Sequence, residues 1–268
     1  MDHKNMCDKA VLDEQYKDSE KLDIRKMFHK KYSTNPVEYD DWIVSKIHFF
    51  EGCRILELGC GTGNLWMDQT ALVDSFSELV LSDISEGMVE SAKENHADKK
   101  RIKCEVIDTQ AIPYPDGSFD IVVANSMLYH IPELEQAVKE IHRVLKTDGV
   151  FYATTASTSE GLMNYITASL YEMGLSETSG AAAISFSLEN GEELLARYFS
   201  NVKRDLYDDR LEVTEVADLV AYIYSMSSVY YQLDVSSSAD LHAYFEEQKD
   251  SEGIIKIPKL YGIFISQK

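Results

Sequence analysis

The chain has 268 residues, 44% of them hydrophobic and 27% charged, a composition that allows a substantial buried core and excludes collagen-like and disordered proteins. Its formal net charge of −20 at pH 7 argues against a nucleic-acid partner, because an acidic surface repels a phosphate backbone. Its apolar runs are too short to cross a bilayer, and its first residues lack the apolar stretch of a signal peptide. We therefore expect a cytoplasmic protein without a membrane partner.

In chain order, the pattern of apolar residues predicts helical pieces before residue 50 and a regular alternation of strands and helices after it. The expected strands are 54–58, 78–83, 102–107, 119–124 and 149–155, with two more near 202–207 and 262–267, and the expected helices are 64–75, 86–96 and 133–146. This order predicts an α/β fold: a doubly wound, mostly parallel seven-stranded sheet with helices on both faces and helical insertions near the C-terminus.

Residues 156–200 and 213–250 are the insertions between the last strands. The second contains a helical stripe of apolar residues that runs into four tyrosines: Tyr222, Tyr224, Tyr230 and Tyr231. Two interpretations of these tyrosines stay open, namely ordinary packing and a lid over a ligand pocket.

The four cysteines, Cys7, Cys53, Cys60 and Cys104, show no paired spacing, so the sequence predicts neither a metal site nor a disulfide framework.

A strand that begins at Arg54 runs directly into a glycine-rich turn. Gly59, Gly61 and Gly63 remove every second side chain from this turn, which lets a ligand approach the backbone. The spacing is GxGxG, whereas a dinucleotide fold would place its third glycine at the position of Asn64.

The segment from Glu57 to Gly63 resembles the first motif of class I S-adenosylmethionine-dependent methyltransferases. Segments 79–85, 104–114 and 119–125 resemble the next three strands of that family. The resemblance implies a single methyltransferase domain over 1–268, with an N-terminal helical cap at 1–50, a cofactor-binding core at 51–155, and the remaining strands with helical lid insertions at 156–268.

The resemblance also implies that the cofactor is S-adenosylmethionine and that S-adenosylhomocysteine is the product. Glu57 is expected at the cofactor's ammonium, Asp83 at its ribose hydroxyls and Asp108 at its adenine amino group. The other expected contacts are Gly59, Cys60, Gly61 and Gly63 in the turn, Ile84 and Met88 against the adenine, the Thr109 backbone, Asn125 and Tyr32. Purely structural roles stay open for Glu57, Cys60, Ile84, Met88, Asn125 and Tyr32.

Methyl transfer needs a positioned nucleophile and at most one proton acceptor from the protein. His130 is the first candidate for that base, because it follows the fourth strand and its ordinary pKa is near neutrality. Tyr129 is the second candidate. Alternatively, His130 orients the turn into the next helix.

The fourth strand is followed by Asn125-Ser126-Met127, which lacks the Asn/Asp-Pro-Pro-aromatic pattern of enzymes that methylate nucleic-acid bases. By elimination, the sequence predicts a small-molecule acceptor methylated on oxygen, nitrogen or carbon, and a monomer or homodimer. A non-catalytic S-adenosylmethionine-binding regulatory or scaffold protein is the alternative, and aminopropyl transfer is a third possibility.

Overall fold

The computed structural model describes residues 7, 11, 20–180, 184–226 and 233–268. The chain divides into two compact units, each of which is continuous in space but not in sequence. The sheet unit comprises Tyr39–Ala156, Ser185–Tyr207 and Gly262–Lys268, and the helical unit comprises the described residues of Met1–Glu38, Ser157–Ile184 and Asp208–Tyr261. The hypothesis of a single domain stays a prediction.

Seven strands form one sheet in the order β3-β2-β1-β4-β5-β7-β6. The pairs β1/β2, β2/β3, β1/β4 and β4/β5 are parallel, and the sheet contains one antiparallel hairpin. The predicted α/β fold with a mostly parallel sheet is therefore confirmed. The strands are β1 Arg54–Leu58, β2 Glu78–Asp83, β3 Ile102–Val106, β4 Phe119–Asn125, β5 Leu145–Ala156, β6 Ser200–Val213 and β7 Ile255–Gln267.

The described helices alternate with these strands along the chain, and several of them belong to the helical unit. They are α1 Glu20–Tyr32, α2 Tyr39–Lys46, α3 Thr70–Asp74, α4 Glu86–Asn95, α5 Leu134–Val144, α6 Leu162–Glu172, α7 Gly191–Leu195, α8 Val216–Ser225 and α9 Ser238–Glu247. Short 3₁₀ turns occur at Asn64–Trp66, Leu128–His130 and Val235–Ser237.

The central strands are buried on both faces. Neighbouring residues in a strand point to opposite faces, yet Leu56, Glu57 and Leu58 are all buried in β1. Both faces of the sheet are therefore covered, as expected for a parallel sheet of this kind. The amphipathic pattern predicted for 133–146 is present in α5, where Leu134, Ala137, Val138, Ile141 and Val144 are buried.

The prediction of one helix over 64–75 is wrong, because the segment forms a 3₁₀ turn and then the short helix α3. Lys99 Nζ donates hydrogen bonds of 2.8 Å to the backbone carbonyls of Trp66 and Met67. These carbonyls are thereby satisfied by a side chain from another element, and the helix is interrupted at this point.

Strand β5 begins four residues earlier than predicted, at Leu145 instead of 149. Phe119 pairs with Leu145 and Ile121 pairs with Val150, so residues 146–149 form an irregularity opposite Asp120. Lys146 Nζ donates 2.8 Å hydrogen bonds to both carboxylate oxygens of Asp120. Residues that the sequence predicts to precede the strand therefore form a bulge inside it.

The helical unit has its own hydrophobic core, built from α1, α6, α8, α9 and the adjoining parts of β6 and β7. Tyr222 is buried in this core, where its ring centroid lies 4.8 Å from that of Phe28. The Tyr224 hydroxyl donates to the Asp234 carbonyl at 2.9 Å. Tyr230 and Tyr231 lie outside the described residues, and the lid interpretation stays a prediction.

A buried ion pair holds the segment that follows α1 within the helical unit. Asp209 accepts from Lys259 Nζ at 2.9 Å, and the two side chains are only 0% and 4% exposed. Asp209 also accepts from the Ser33 hydroxyl and from the backbone amides of Thr34 and Asn35 at 3.0 and 2.9 Å. Because the carboxylate has several donors, its burial is compensated.

His29 lies beside this ion pair, and its buried Nδ1 has no hydrogen-bond partner among the described residues. Burial lowers the pKa of His29 to about 3, and the positive charges of Lys259 and Arg25 contribute to the lowering, while Asp209 opposes it. His29 is therefore neutral in the folded protein at pH 7.

We expect the free energy of unfolding to fall as the pH drops from about 6.5 to 4.5, because unfolded His29 takes up a proton that folded His29 does not. The loss from this residue is at most about 1.4 kcal/mol per pH unit. His29→Phe should reduce the pH dependence in urea unfolding measured between these two pH values. Equal slopes for the variant and the wild type would contradict the assignment.

Candidate active site

The site lies at the carboxyl ends of β1 and β4, which are neighbours in the sheet although β2 and β3 separate them in sequence. The chain proceeds from β1 outwards to β2 and β3, and then returns to β4 on the other side of β1. Ligands of open α/β sheets bind at such a reversal of strand order, outside the carboxyl ends of the strands. The glycine turn follows β1 here, and Asn125 ends β4.

The backbone of the glycine turn requires glycine at two positions. Gly59 and Gly63 have φ of 64° and 77°. A Cβ at Gly59 would lie 2.7 Å from Met127 Cβ, and one at Gly63 would lie 2.7 Å from His96 Nε2. Both the positive φ and the lack of space exclude larger side chains.

Two residues at the end of α4 hold the turn. His96 is buried, and its Nε2 lies 2.9 Å from the Gly63 carbonyl. Burial lowers the pKa of His96, so its neutral ring donates this hydrogen bond. Asn95 Nδ2 donates to the Thr62 carbonyl at 3.0 Å. The sequence had not marked either residue, because their spacing from the turn forms no local motif.

Asp83 connects the end of β2 to the same turn. Its Oδ2 accepts from the Gly61 amide at 3.0 Å, and its Oδ1 accepts from the Ser85 amide at 2.9 Å. Burial raises the pKa of the Asp83 carboxyl, while these two amides oppose the rise. Each oxygen keeps capacity for another hydrogen bond, so the half-buried carboxylate can also accept from a ligand.

Glu57 is 2% exposed, and its Oε2 accepts from Trp66 Nε1 at 2.6 Å. The carboxylate is thus tied to the segment that follows the turn. The expected contact of Glu57 with a ligand ammonium stays a prediction.

Asp108 is exposed after β3, and its Oδ1 accepts from the amide of Gln110 at 2.9 Å. Gln110 Oε1 in turn accepts from the Glu133 amide at 3.0 Å, just before α5. Gln110 therefore links the loop after β3 to α5, a role that sequence reasoning missed. The side chain of Thr109 is buried.

Two apolar side chains are exposed near the ends of β2 and β3, Ile84 at 50% and Val106 at 51%. They offer apolar surface to a flat ligand. Met88, by contrast, is 1% exposed, and its amide donates to the Ser85 hydroxyl at the start of α4. This burial supports a core role for Met88 over a contact with the adenine.

Asn125 Oδ1 lies 2.6 Å from Thr154 Oγ1 on the adjacent strand. The next residue, Ser126, has a φ of 54°, which is unusual for a residue other than glycine. Its amide donates to Thr154 Oγ1 at 2.9 Å. Thr154 is therefore part of the site, although no sequence motif indicated it.

His130 and Tyr129 lie together in the 3₁₀ turn after β4, with ring centroids 4.6 Å apart. Cys60 is buried in the glycine turn, and burial raises the pKa of its thiol well above the usual value, so it is not an activated nucleophile. Tyr32 belongs to the helical unit, where its hydroxyl donates to Asp218 at 2.6 Å. A contact of Tyr32 with a cofactor stays a prediction.

The residues present fit a nucleoside ligand with an amino-acid side arm. The glycine turn carries no side chain at Gly59, Gly61 and Gly63, the Asp83 carboxylate can accept from a diol, and Ile84 and Val106 offer an apolar face. Across the described ranges, histidines, cysteines and carboxylates form no cluster that could hold a metal ion. None of the helices that the structure describes combines the length and apolar character needed to cross a membrane.

A family model described as "Methyltransferase domain" matches residues 56–153. The chain is similar to the ubiquinone/menaquinone biosynthesis C-methyltransferase UbiE of Geotalea uraniireducens, at 37% identity over 109 residues, which is 40% of this chain and 46% of that protein. It is also similar to the demethylmenaquinone methyltransferase of Symbiobacterium thermophilum, at 32% identity over 126 residues, 45% of this chain and 50% of that protein. The chain thus spans about half the length of these curated relatives.

Solved structures show the same fold. The YcgJ protein from Bacillus subtilis has a TM-score of 0.62 at 16% identity, covering 85% of this chain and 97% of that one. The Haemonchus contortus phosphoethanolamine N-methyltransferase 2, in complex with phosphomonomethylethanolamine and S-adenosylhomocysteine, has a TM-score of 0.60 at 18% identity, covering 96% of this chain and 59% of that one. At these identities, both similarities concern the fold alone.

We expect Gly63→Ala to lower the free energy of unfolding by about 1–3 kcal/mol more than Gly52→Ala does. Gly52 is a matched control, because its φ is 79° but nothing lies within 4 Å of its added Cβ, whereas Gly63 has a φ of 77° and the His96 contact. Urea unfolding of the two variants measures the difference. Equal losses would show that His96 does not confine the turn.

Proposed function

We propose that this chain, whose residues 56–153 form a class I S-adenosylmethionine-dependent methyltransferase domain, transfers a methyl group from S-adenosylmethionine to a small-molecule acceptor. The observation that carries the proposal is the hydrogen bond between Asp83 and Gly61, 3.0 Å long. It joins the glycine turn after β1 to the carboxylate that ends β2, at the reversal of strand order where ligands of such sheets bind.

Each side chain of the site has a separate task in this proposal. Asp83 accepts from the ribose hydroxyls, the exposed faces of Ile84 and Val106 receive the adenine, and Asp108 accepts from the adenine amino group. The backbone of the glycine turn lies against the methionine part, with Glu57 on the side of the ammonium. When bound, the cofactor supplies an electrophilic methyl carbon on its sulfonium.

The protein's chemical contribution is then to position the acceptor, exclude water and accept one proton where the acceptor carries one. His130 is the proposed base, since it lies in the turn directly after β4, at the same edge of the sheet as the glycine turn. Tyr129 beside it is the second candidate.

The names of the curated relatives suggest which acceptor to assay first. Their matches to this chain support a quinol-type acceptor such as reduced demethylmenaquinone, methylated on carbon. We further propose a cytoplasmic monomer or homodimer that binds no nucleic acid, in keeping with the net charge of −20. The rival function is a non-catalytic S-adenosylmethionine-binding scaffold, and formation of a labelled product from labelled cofactor distinguishes the two.

Asp83→Asn should weaken S-adenosylmethionine binding by roughly 10- to 100-fold, because a charge-assisted hydrogen bond is worth about 1.5–3 kcal/mol. Isothermal titration calorimetry measures the change. Asp74→Asn, which removes one exposed carboxylate at the end of α3, is the control and should bind as the wild type does. Equal affinity in the Asp83 variant would refute the site assignment.

His130→Ala should leave S-adenosylmethionine affinity nearly unchanged and lower turnover by roughly 10²- to 10⁴-fold, the range typical of a general base. Tyr129→Phe keeps the neighbouring ring and tests the phenol alone. The measurement is single-turnover transfer of a labelled methyl group. Unchanged turnover in the His130 variant would remove this residue from the mechanism.

A further inference from the structure

Three residues at the ends of β4 and β5 share hydrogen bonds that determine which way the Asn125 amide faces. Thr154 Oγ1 lies 2.6 Å from Asn125 Oδ1 and 2.9 Å from the Ser126 amide nitrogen. Ser126 Oγ lies 3.3 Å from the same Thr154 oxygen. All three residues belong to the sheet unit, next to the glycine turn.

The protons of this cluster can be assigned. A backbone N–H can only donate, so Thr154 Oγ1 accepts from Ser126. The single Thr154 proton then goes to Asn125, because 2.6 Å is a usual length for O–H···O and short for N–H···O. The amide oxygen of Asn125 therefore faces Thr154, and the Nδ2 amino group faces away from it.

Asn125 Nδ2 makes no hydrogen bond to any described residue. It is not enclosed in the protein either, because the buried side-chain atoms without a partner among the described residues do not include it. It therefore meets solvent at the carboxyl end of β4. The two N–H groups are preorganised donors at the reversal of strand order between β1 and β4.

Two further features support a cluster held in one arrangement. Ser126 has a φ of 54°, a conformation that persists in residues other than glycine where the surroundings enforce it. The buried phenol of Tyr39 lies beside Thr154 and Ser126, and burial raises its pKa, so the phenol stays neutral and places no negative charge next to the cluster. Because the Thr154 proton goes to Asn125, Thr154 Oγ1 accepts from the Ser126 amide and from the Ser126 hydroxyl at 3.3 Å.

We propose that Thr154 is a positioning residue that holds Asn125 as an outward-facing hydrogen-bond donor, and that this donor binds an anionic oxygen of a ligand at the active site. The oxygen belongs either to the carboxylate of the cofactor or to an acidic group of the methyl acceptor, such as a carboxylate, phenolate or enolate. Glu57 and Asp83 are acceptors in the same region, so an anionic oxygen needs a donor of this kind. The inference rests on the proposed function and adds the ligand chemistry that Asn125 selects.

The first experiment tests the orientation of the amide without any ligand. In a ¹⁵N-asparagine-labelled protein, the Asn125 side-chain signal is identified by its absence from Asn125→Asp. Thr154→Val removes the hydroxyl at nearly constant volume and should shift or broaden that signal. Thr154→Ser keeps the hydroxyl and should leave it near its wild-type position. A signal unchanged by Thr154→Val would overturn the proposal.

The second experiment identifies the source of the oxygen by calorimetry with S-adenosylhomocysteine and with 5′-methylthioadenosine, which lacks the amino-acid arm. If the oxygen is the cofactor's, Thr154→Val and Asn125→Asp should weaken S-adenosylhomocysteine binding by about 5- to 100-fold and leave methylthioadenosine binding unchanged. Thr154→Ser should restore the affinity.

If the oxygen belongs to the acceptor, S-adenosylhomocysteine affinity should stay constant while kcat/KM for the acceptor falls by about 10- to 100-fold in Thr154→Val and recovers in Thr154→Ser. Unchanged affinity together with unchanged kcat/KM would overturn the proposal. Failure of the proposed function has a different signature, because the wild type itself would then bind neither nucleoside, or would bind S-adenosylhomocysteine and transfer no methyl group to any acceptor.

Discussion

The backbone of the glycine turn is held from two sides by hydrogen bonds, and the geometry of the site depends on them. Asp83 accepts from the Gly61 amide, and neutral His96 donates to the Gly63 carbonyl. A turn with several positive φ angles has no regular hydrogen-bond ladder of its own. These contacts therefore replace the ladder, and they place the turn against the ends of β2 and α4.

The electrostatics of the site follow from the same contacts. The Glu57 and Asp83 carboxylates are removed from much of the solvent, yet each is bonded to a donor of the protein, Trp66 for Glu57 and two amides for Asp83. Such carboxylates can accept from hydroxyl or ammonium groups of a ligand. Two carboxylates repel an anionic oxygen of a ligand, whereas the outward-facing N–H groups of Asn125 can donate hydrogen bonds to it.

Much of the fold could be predicted, because the strands of this sheet are short apolar runs separated by turn residues. Strands β1, β2 and β4 lie within a residue of their predicted bounds. The predictions failed where a distant side chain intervened. Lys99 interrupts the helix expected over 64–75, and Lys146 pairs with Asp120 in the part of β5 that lies before the predicted start of the strand. Neither long side chain leaves a periodic signal in the sequence.

The sequence by itself determined the order of the strands, the glycine turn after β1, and the two acids beside it, Glu57 in β1 and Asp83 at the end of β2. Each of these features depends on residues that are adjacent in the chain. Only the tertiary structure decided that His96 holds Gly63, 33 residues away, and that Thr154 orients Asn125, 29 residues away. The contact of His96 depends on how α4 packs beside the glycine turn. The contact of Thr154 depends on the register of β4 and β5, and a shift of one residue would turn the Thr154 side chain to the opposite face of the sheet.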